Sequence, residues 1–284
     1  MQPSGSERPL DWMRRSTIEG FAALVVGAGS GMGEACARVF AANGGRVIVA
    51  DMNAESAERV AAEICASGGE ARAVRLDVSS ADDIEAGVRA VLDAYGRLDV
   101  LINVAVKVAS VFLEDADYDD WEKAFHVNVT SALKLARACL PHLRQSPSPA
   151  IVFAGSLAGV NGYARSGSYG PSKGALITLA RQMALEWAPD NIRVNVVIPG
   201  TIITPAMTRD LSAEAIETRK QQIPLGRLSE PGEQADAAVF LASPAASFIT
   251  GQVLVVDGGF SQALYPQPMG MRETMRDYAM RKHT

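Results

Sequence analysis

Cysteine is scarce in this chain. Only Cys36, Cys65 and Cys139 occur among 284 residues, far apart and with no CxxC pair. An odd, scattered set excludes a disulfide framework and a cysteine zinc site, and it suits a reducing compartment. The three histidines, His126, His142 and His283, form no ligand cluster, so no metal is expected. No apolar run approaches the ~20 residues that span a bilayer. The first residues, "MQPSGSERPLDWMRRST", set acids beside bases and lack the apolar core of a signal peptide. A surplus of positive charge is missing too: 27 Lys and Arg against 32 Asp and Glu leave a net charge of -5. These absences predict a soluble cytoplasmic protein with no nucleic-acid and no membrane partner. Linkers, repeats and low-complexity runs are also absent.

Apolar material is plentiful. The composition is 48% hydrophobic and 21% charged, which suits one large α/β domain. Short apolar runs alternate with helix-period stretches from Phe21 to Asp257. The runs at 21–26, 46–50, 71–76, 98–105, 150–156, 192–200 and 253–257 read as seven strands. Between them lie helical stretches after Gly33, at 54–67, at 82–95, from Tyr118 to Arg144 and from Tyr169 to Ala188. In the long fourth stretch, Phe125, Val129, Leu133, Ala136 and Leu140 keep 3–4 spacing. Strands that are nearly all apolar belong in a parallel sheet covered on both faces. Right-handed crossovers then give one doubly wound α/β sheet of seven mainly parallel strands. The expected layout is an N-terminal extension at 1–19, one domain at 20–262 and a tail at 263–284. The irregular segment at about 199–229 is long enough to cover a ligand, with a short helix and lid near 205–222.

The stretch "VVGAGSGMGEA" follows the first strand and opens the first helix. Its glycines, Gly27, Gly29, Gly31 and Gly33, permit a tight turn and a close approach of backbone to phosphate. The helix start, with Ser30 and Met32 among its residues, offers free N–H groups and a positive dipole end. Asp51 ends the second strand, where a carboxylate can accept from ribose hydroxyls and repel a 2′-phosphate. Met52 follows it, Ser30 stands where a base could have been, and Arg46 lies at the far end of the strand. This pattern predicts NAD rather than NADP; a solvated turn aspartate is the plainer alternative. Asp77, with Val78 beside it, ends the third strand. It can accept from an adenine amine or cap the next helix.

These motifs together resemble the short-chain dehydrogenase/reductase family in its common single-domain, Rossmann-type form, from about Phe21 to Phe260. The family's TGxxxGxG turn matches Val26 to Gly33, with Val26 in place of threonine. Its catalytic asparagine matches Asn128 in "HVNVTSA", its serine Ser156 in "FAGSLAG", and its YxxxK pair Tyr169 and Lys173. Its proline-glycine turn matches Pro199 and Gly200, followed by Ile202 and Thr204, which resemble positions contacting the cofactor's carboxamide and pyrophosphate. The family's NNAG stretch departs here to Asn103-Val104-Ala105-Val106. Val106 adds bulk beside cofactor or substrate.

The resemblance implies hydride exchange between a nicotinamide and a carbinol carbon, with Tyr169 moving the proton at oxygen. Tyr169 and Lys173 share a helix face at i and i+4, and a nearby ammonium lowers a phenol's pKa. By resemblance, Lys173 also reaches the nicotinamide ribose, Ser156 steadies the substrate oxygen and Asn128 holds a water linking Lys173 to solvent. Tyr–Lys pairs, capping serines and helix-bend asparagines also occur without any catalytic role. Candidate substrate contacts are Val106, Leu157, Tyr163 and Met207, a mainly apolar set that predicts a lipophilic, cyclic or specialised-metabolite alcohol or ketone. A 3-oxoacyl-thioester reductase is the enzymatic alternative, and a nucleotide-binding scaffold the non-enzymatic one. The resemblance also implies a homotetramer. In the tail, Met271, Met275 and Tyr278 could form an apolar helix face or simply fray.

Overall fold

The computed structural model describes residues 11–203 and 211–263. Seven strands, β1 Ala22–Val26, β2 Arg46–Asp51, β3 Glu70–Arg75, β4 Val100–Asn103, β5 Ala150–Ala154, β6 Arg193–Pro199 and β7 Val253–Val256, form one sheet in the order β3-β2-β1-β4-β5-β6-β7. Every neighbouring pair is parallel. The helices are α1 Trp12–Ser16, α2 Gly31–Ala42, α3 Ala54–Ala66, α4 Ala81–Tyr95, α5 Tyr118–Phe125, α6 Ser131–Leu143, α7 Tyr169–Glu186, α8 Ala213–Gln222 and α9 Pro231–Ala242.

Strand alternation builds two cores. Ala22, Leu24 and Val26 of β1 face one layer, with Leu135 of α6 and Leu176 of α7. Ala23 and Val25 face the other, with Phe40 of α2, Val60 of α3 and Ala238 of α9. Both sets are buried, which is why these strands read as continuous apolar runs. The chain order reverses direction across the sheet between β1 and β4. A crevice therefore opens at their C-terminal ends, the switch point where ligands bind in sheets of this kind.

Three features differ from the sequence reading. The long helix expected from Tyr118 to Arg144 is interrupted by a π-helical segment, His126–Thr130. Strand four ends at Asn103, so Val104 to Val106 lie beyond it. Helix α9 is additional to the expected elements, although Pro231 at its first turn and the Glu230/Glu233 capping box are start signals. Within the irregular segment, α8 supplies the short helix, and Ile202 bridges to Ser229. Helix α1 belongs to the expected extension, and Trp12 stacks on Phe240 of α9 at 6.1 Å. Thr204, Met207 and the tail residues Met271, Met275 and Tyr278 lie outside the described residues.

Candidate active site

Two adjoining concavities occupy the C-terminal edge of the sheet. The first, about 680 Å³, runs from the β1–α2 turn across the ends of β2 and β3 to the segment after β4. It gathers Gly27, Ser30, Gly31, Met32, Gly33, Asp51, Met52, Asp77 and Val78. Gly27 has a φ of 77°, and a Cβ there would lie 2.8 Å from the backbone nitrogen of Ala105. A Cβ on Gly33 would fall 2.0 Å from the carbonyl oxygen of Gly27, so glycine lets α2 close onto the turn. Gly31 differs: its φ is 56° and nothing lies within 4 Å of its missing Cβ. That open space faces the start of α2, where the Ser30 side chain makes no capping bond. Free helix-start N–H groups beside such a space suit a pyrophosphate.

Asp51 does two jobs in this groove. One carboxylate oxygen accepts the N–H of Gly29 at 2.9 Å, and the other accepts that of Asn53 at 2.9 Å. Each oxygen keeps acceptor capacity for a ribose hydroxyl. Arg59 of α3 donates to the Gly29 carbonyl at 3.0 Å and pairs with Glu34 at 2.8 Å. Asp77 accepts from the backbone and hydroxyl of Ser79 at 2.9 and 2.6 Å, which hold its carboxyl below the usual value. The helix cap before α4 is Ser80 rather than Asp77.

Asn103 does not line the groove; it is buried and accepts the Ala105 N–H at 3.1 Å, turning the chain after β4. Val104 packs against the second core, and Val106 lines this groove rather than the neighbouring cavity.

The second cavity, about 890 Å³, holds Ser156 and Tyr169 together with Leu157, Tyr163, Pro199 and Gly200. Ser156 follows β5 and caps a short turn, accepting the Ala158 N–H at 3.2 Å. That turn packs tightly on α7: a Cβ on Gly159 would lie 2.7 Å from the Lys173 carbonyl carbon. Glycine at 159 therefore brings Ser156 against Tyr169. Gly200 is equally constrained, since its Cβ would meet Asp257 at 2.6 Å.

Lys173 is buried and donates to the Ala154 carbonyl at 2.7 Å, with its ammonium 5.9 Å from the Tyr169 ring centroid. Burial pulls its pKa down to about 8. Burial also pushes the Tyr169 phenol above its ordinary value, and the Ser156 hydroxyl works the other way. The net direction is thus upward, opposite to the lowering expected from a neighbouring ammonium, because desolvation outweighs the Ser156 hydrogen bond.

Asn128 sits in the π segment. Its amide accepts the Lys107 N–H at 2.8 Å and donates to the Lys107 carbonyl at 2.9 Å and to Ser172 Oγ at 2.9 Å. Ser172 in turn donates to the Tyr169 carbonyl at 2.8 Å. Asn128 therefore clamps the segment after β4 to the first turn of α7. Sequence reasoning misses Lys107, Gly159 and Ser172. Of the three, only Ser172 carries a local signal, because it lies inside the YxxxK stretch. Ile202 is half-buried against the second core, away from both linings. Among the described residues no group of His, Cys, Asp or Glu could hold a metal ion.

A family model described as enoyl-(acyl carrier protein) reductase matches residues 27–261. The chain is 36% identical over 244 residues to the 2,5-dichloro-2,5-cyclohexadiene-1,4-diol dehydrogenase LinX of Sphingobium indicum, covering 86% of this chain and 97% of that protein. It is 36% identical over 242 residues to the 3-oxoacyl-[acyl-carrier-protein] reductase FabG of Thermotoga maritima, covering 85% and 98%. Among solved structures, a 7α-hydroxysteroid dehydrogenase complexed with NADH and 7-oxo glycochenodeoxycholic acid matches with a TM-score of 0.83 at 36% identity. The match covers 88% of this chain and 98% of that one.

Proposed function

The chain belongs to the short-chain dehydrogenase/reductase family, and from that premise we propose that it oxidises a secondary alcohol to a ketone, or runs the reverse reduction. The observation that carries this reading is the meeting of Ser156 and Tyr169 in one cavity beside a dinucleotide-shaped groove. A bound nicotinamide cofactor supplies the hydride chemistry. The chain's own residues do the rest. Tyr169 takes the hydroxyl proton in oxidation and returns it to the carbonyl oxygen in reduction. Ser156 Oγ donates to the same oxygen and steadies its developing charge. Lys173, fixed at the Ala154 carbonyl, places a proton-binding group one helical turn behind the phenol. Asn128 holds Lys107 and Ser172 in register, which keeps groove and cavity aligned.

The cofactor in this proposal is NAD. Asp51 would repel a 2′-phosphate, and Arg59, the base beside Gly29, is already engaged by Glu34 and Glu63. The substrate is a small alcohol or ketone, cyclic as in LinX and the hydroxysteroid dehydrogenase. The proposal also includes a homotetramer, because β7 leaves its four residues half-buried and Leu185 and Phe248 stand exposed. It includes a cytoplasmic location, which free Cys36, Cys65 and Cys139 suit. Among the described residues no helix is long and apolar enough to cross a membrane.

The test is NAD reduction across a panel of secondary alcohols, with Tyr169→Phe as the control. Removing the proton-transfer group should lower kcat by about 10²–10⁴-fold while NAD still binds. Normal turnover in Tyr169→Phe would sink the assignment. Reduction of 3-oxoacyl thioesters with NADPH, faster than any alcohol oxidation with NAD, would favour the FabG-like alternative.

A further inference from the structure

We propose that the substrate carries a carboxylate remote from its reacting carbinol, gripped by Arg165 and Arg219 at the cavity that holds Ser156 and Tyr169. This inference rests on the alcohol-dehydrogenase reading above and specifies its substrate class.

Both arginines line that cavity, yet they come from different elements, Arg165 from the segment before α7 and Arg219 from the last turn of α8. Among the described residues neither is ion-paired, whereas the nearby Lys220 and Arg227 are paired with Glu217 and Glu233. Arg165 is also held in an unusual way. Its φ is 62°, a left-handed conformation that non-glycine residues seldom adopt. Its guanidinium lies over the Phe112 ring, 5.3 Å from the centroid. That contact restrains the guanidinium, which keeps N–H donors for a ligand, and arginine binds carboxylate through two parallel hydrogen bonds. Ser110 and Gln222 add neutral donors to the same lining.

The cavity adjoins a second one at Arg165. Tyr163, Arg165 and Ser166 also line a neighbouring hollow of about 720 Å³, whose wall includes Phe112, Leu113 and Val160. A substrate with an apolar body could extend from Tyr169 past Arg165. Glu214 lines the cavity as well, in the first turn of α8. It sits five residues from Arg219, about 7.5 Å along the helix axis, and does not pair with it. Glu214 therefore supplies a control of opposite sign.

The experiment compares a hydroxycyclohexanecarboxylic acid with its carboxamide, using the full chain with NAD. For wild type, kcat/KM for the acid should exceed that for the amide by about 10-fold or more, and the advantage should shrink as salt rises. The R165Q/R219Q variant should lose about 10-fold on the acid, through KM, and stay within about 2-fold on the amide. E214Q should not weaken the acid. Parallel losses on acid and amide, or a wild-type preference for the amide, would overturn the proposal while leaving the dehydrogenase reading intact. If no alcohol is oxidised at all, calorimetric titration with cyclohexanecarboxylate separates the two ideas. Binding to wild type that is lost in R165Q/R219Q keeps the anion subsite and sinks the oxidation reading; no binding to wild type sinks the subsite. A double variant impaired only towards thioesters on an acidic carrier protein would assign the cations to that partner and overturn the small-acid proposal.

Discussion

At the scale of single residues, the buried ionisable groups of α7 make the sharpest claims. Lys173 has an ordinary value of 10.5 that burial brings to about 8. Between these values the unfolded chain holds a proton at this position that the folded chain has released. Stability at this site therefore rises with pH across that window, by about 1.4 kcal/mol for each pH unit and so about 3 kcal/mol in total. Below about pH 8 both states are protonated and the burial cost is constant. Denaturant unfolding of wild type and Lys173→Met at several pH values should show the difference between them growing in favour of wild type from about pH 8 to 10; a constant difference would contradict the assignment. Tyr169 titrates in the other sense. Burial keeps its phenol protonated at neutral pH, the form that donates to a ketone. Alcohol oxidation should accelerate from about pH 7 to 10, as the scarce phenolate grows, while ketone reduction should hold over that range because the phenol stays protonated. Asn128 is wholly committed to Lys107 and Ser172. Asn128→Ala removes the partners of the half-buried Lys107 N–H and carbonyl and of Ser172, and should cost about 1–3 kcal/mol in unfolding free energy.

At the scale of elements, the β1–α2 unit separates two uses of glycine. Gly31 has open space where a side chain would stand, whereas Gly33 has the Gly27 carbonyl. Gly31→Ala should fold, with a left-handed strain of about 1–2 kcal/mol, and lose NAD affinity because the methyl occupies the pyrophosphate space. Gly33→Ala should cost about 3 kcal/mol, because backbone must give way, and the melting temperature should fall before cofactor binding is considered. Equal effects of the two substitutions on both readouts would show that the turn is structural only. The π segment between α5 and α6 is the second element with a purpose. Its extra residue per turn sets Asn128 where its amide reaches the chain after β4, a contact that the regular 3–4 spacing around it does not announce.

At the scale of the whole molecule, the sheet order puts groove and cavity on either side of the β1–β4 switch. Strand β2, which ends at Asp51, and β5, which Ser156 follows, are separated by β1 and β4, and the site needs all four. The sheet's two rims differ. At the β3 edge, Arg75 is exposed and paired with Asp83, as suits a rim facing water. At the β7 edge every residue is half-buried and apolar. Burying that edge against another copy is the expected outcome, and light scattering should return four times the monomer mass. A monomer would refute it.

The sequence by itself determined the strand and helix order, because nearly wholly apolar strands alternating with 3–4 periodic helices leave few alternatives to a covered parallel sheet. It also determined the β1–α2 turn, since four closely spaced glycines at a strand end have a steric meaning that needs no partner. Tyr169 and Lys173 were readable as one helix face for the same local reason. Tertiary structure decided everything that depends on what a side chain meets across the fold. Asn103 turned inward to the Ala105 N–H, Asn128 became a clamp on Lys107, and Arg165 and Arg219 came to one cavity from segments over 50 residues apart. It also set the direction of the Tyr169 shift, because spacing reports which charges are near but not how much water burial has removed.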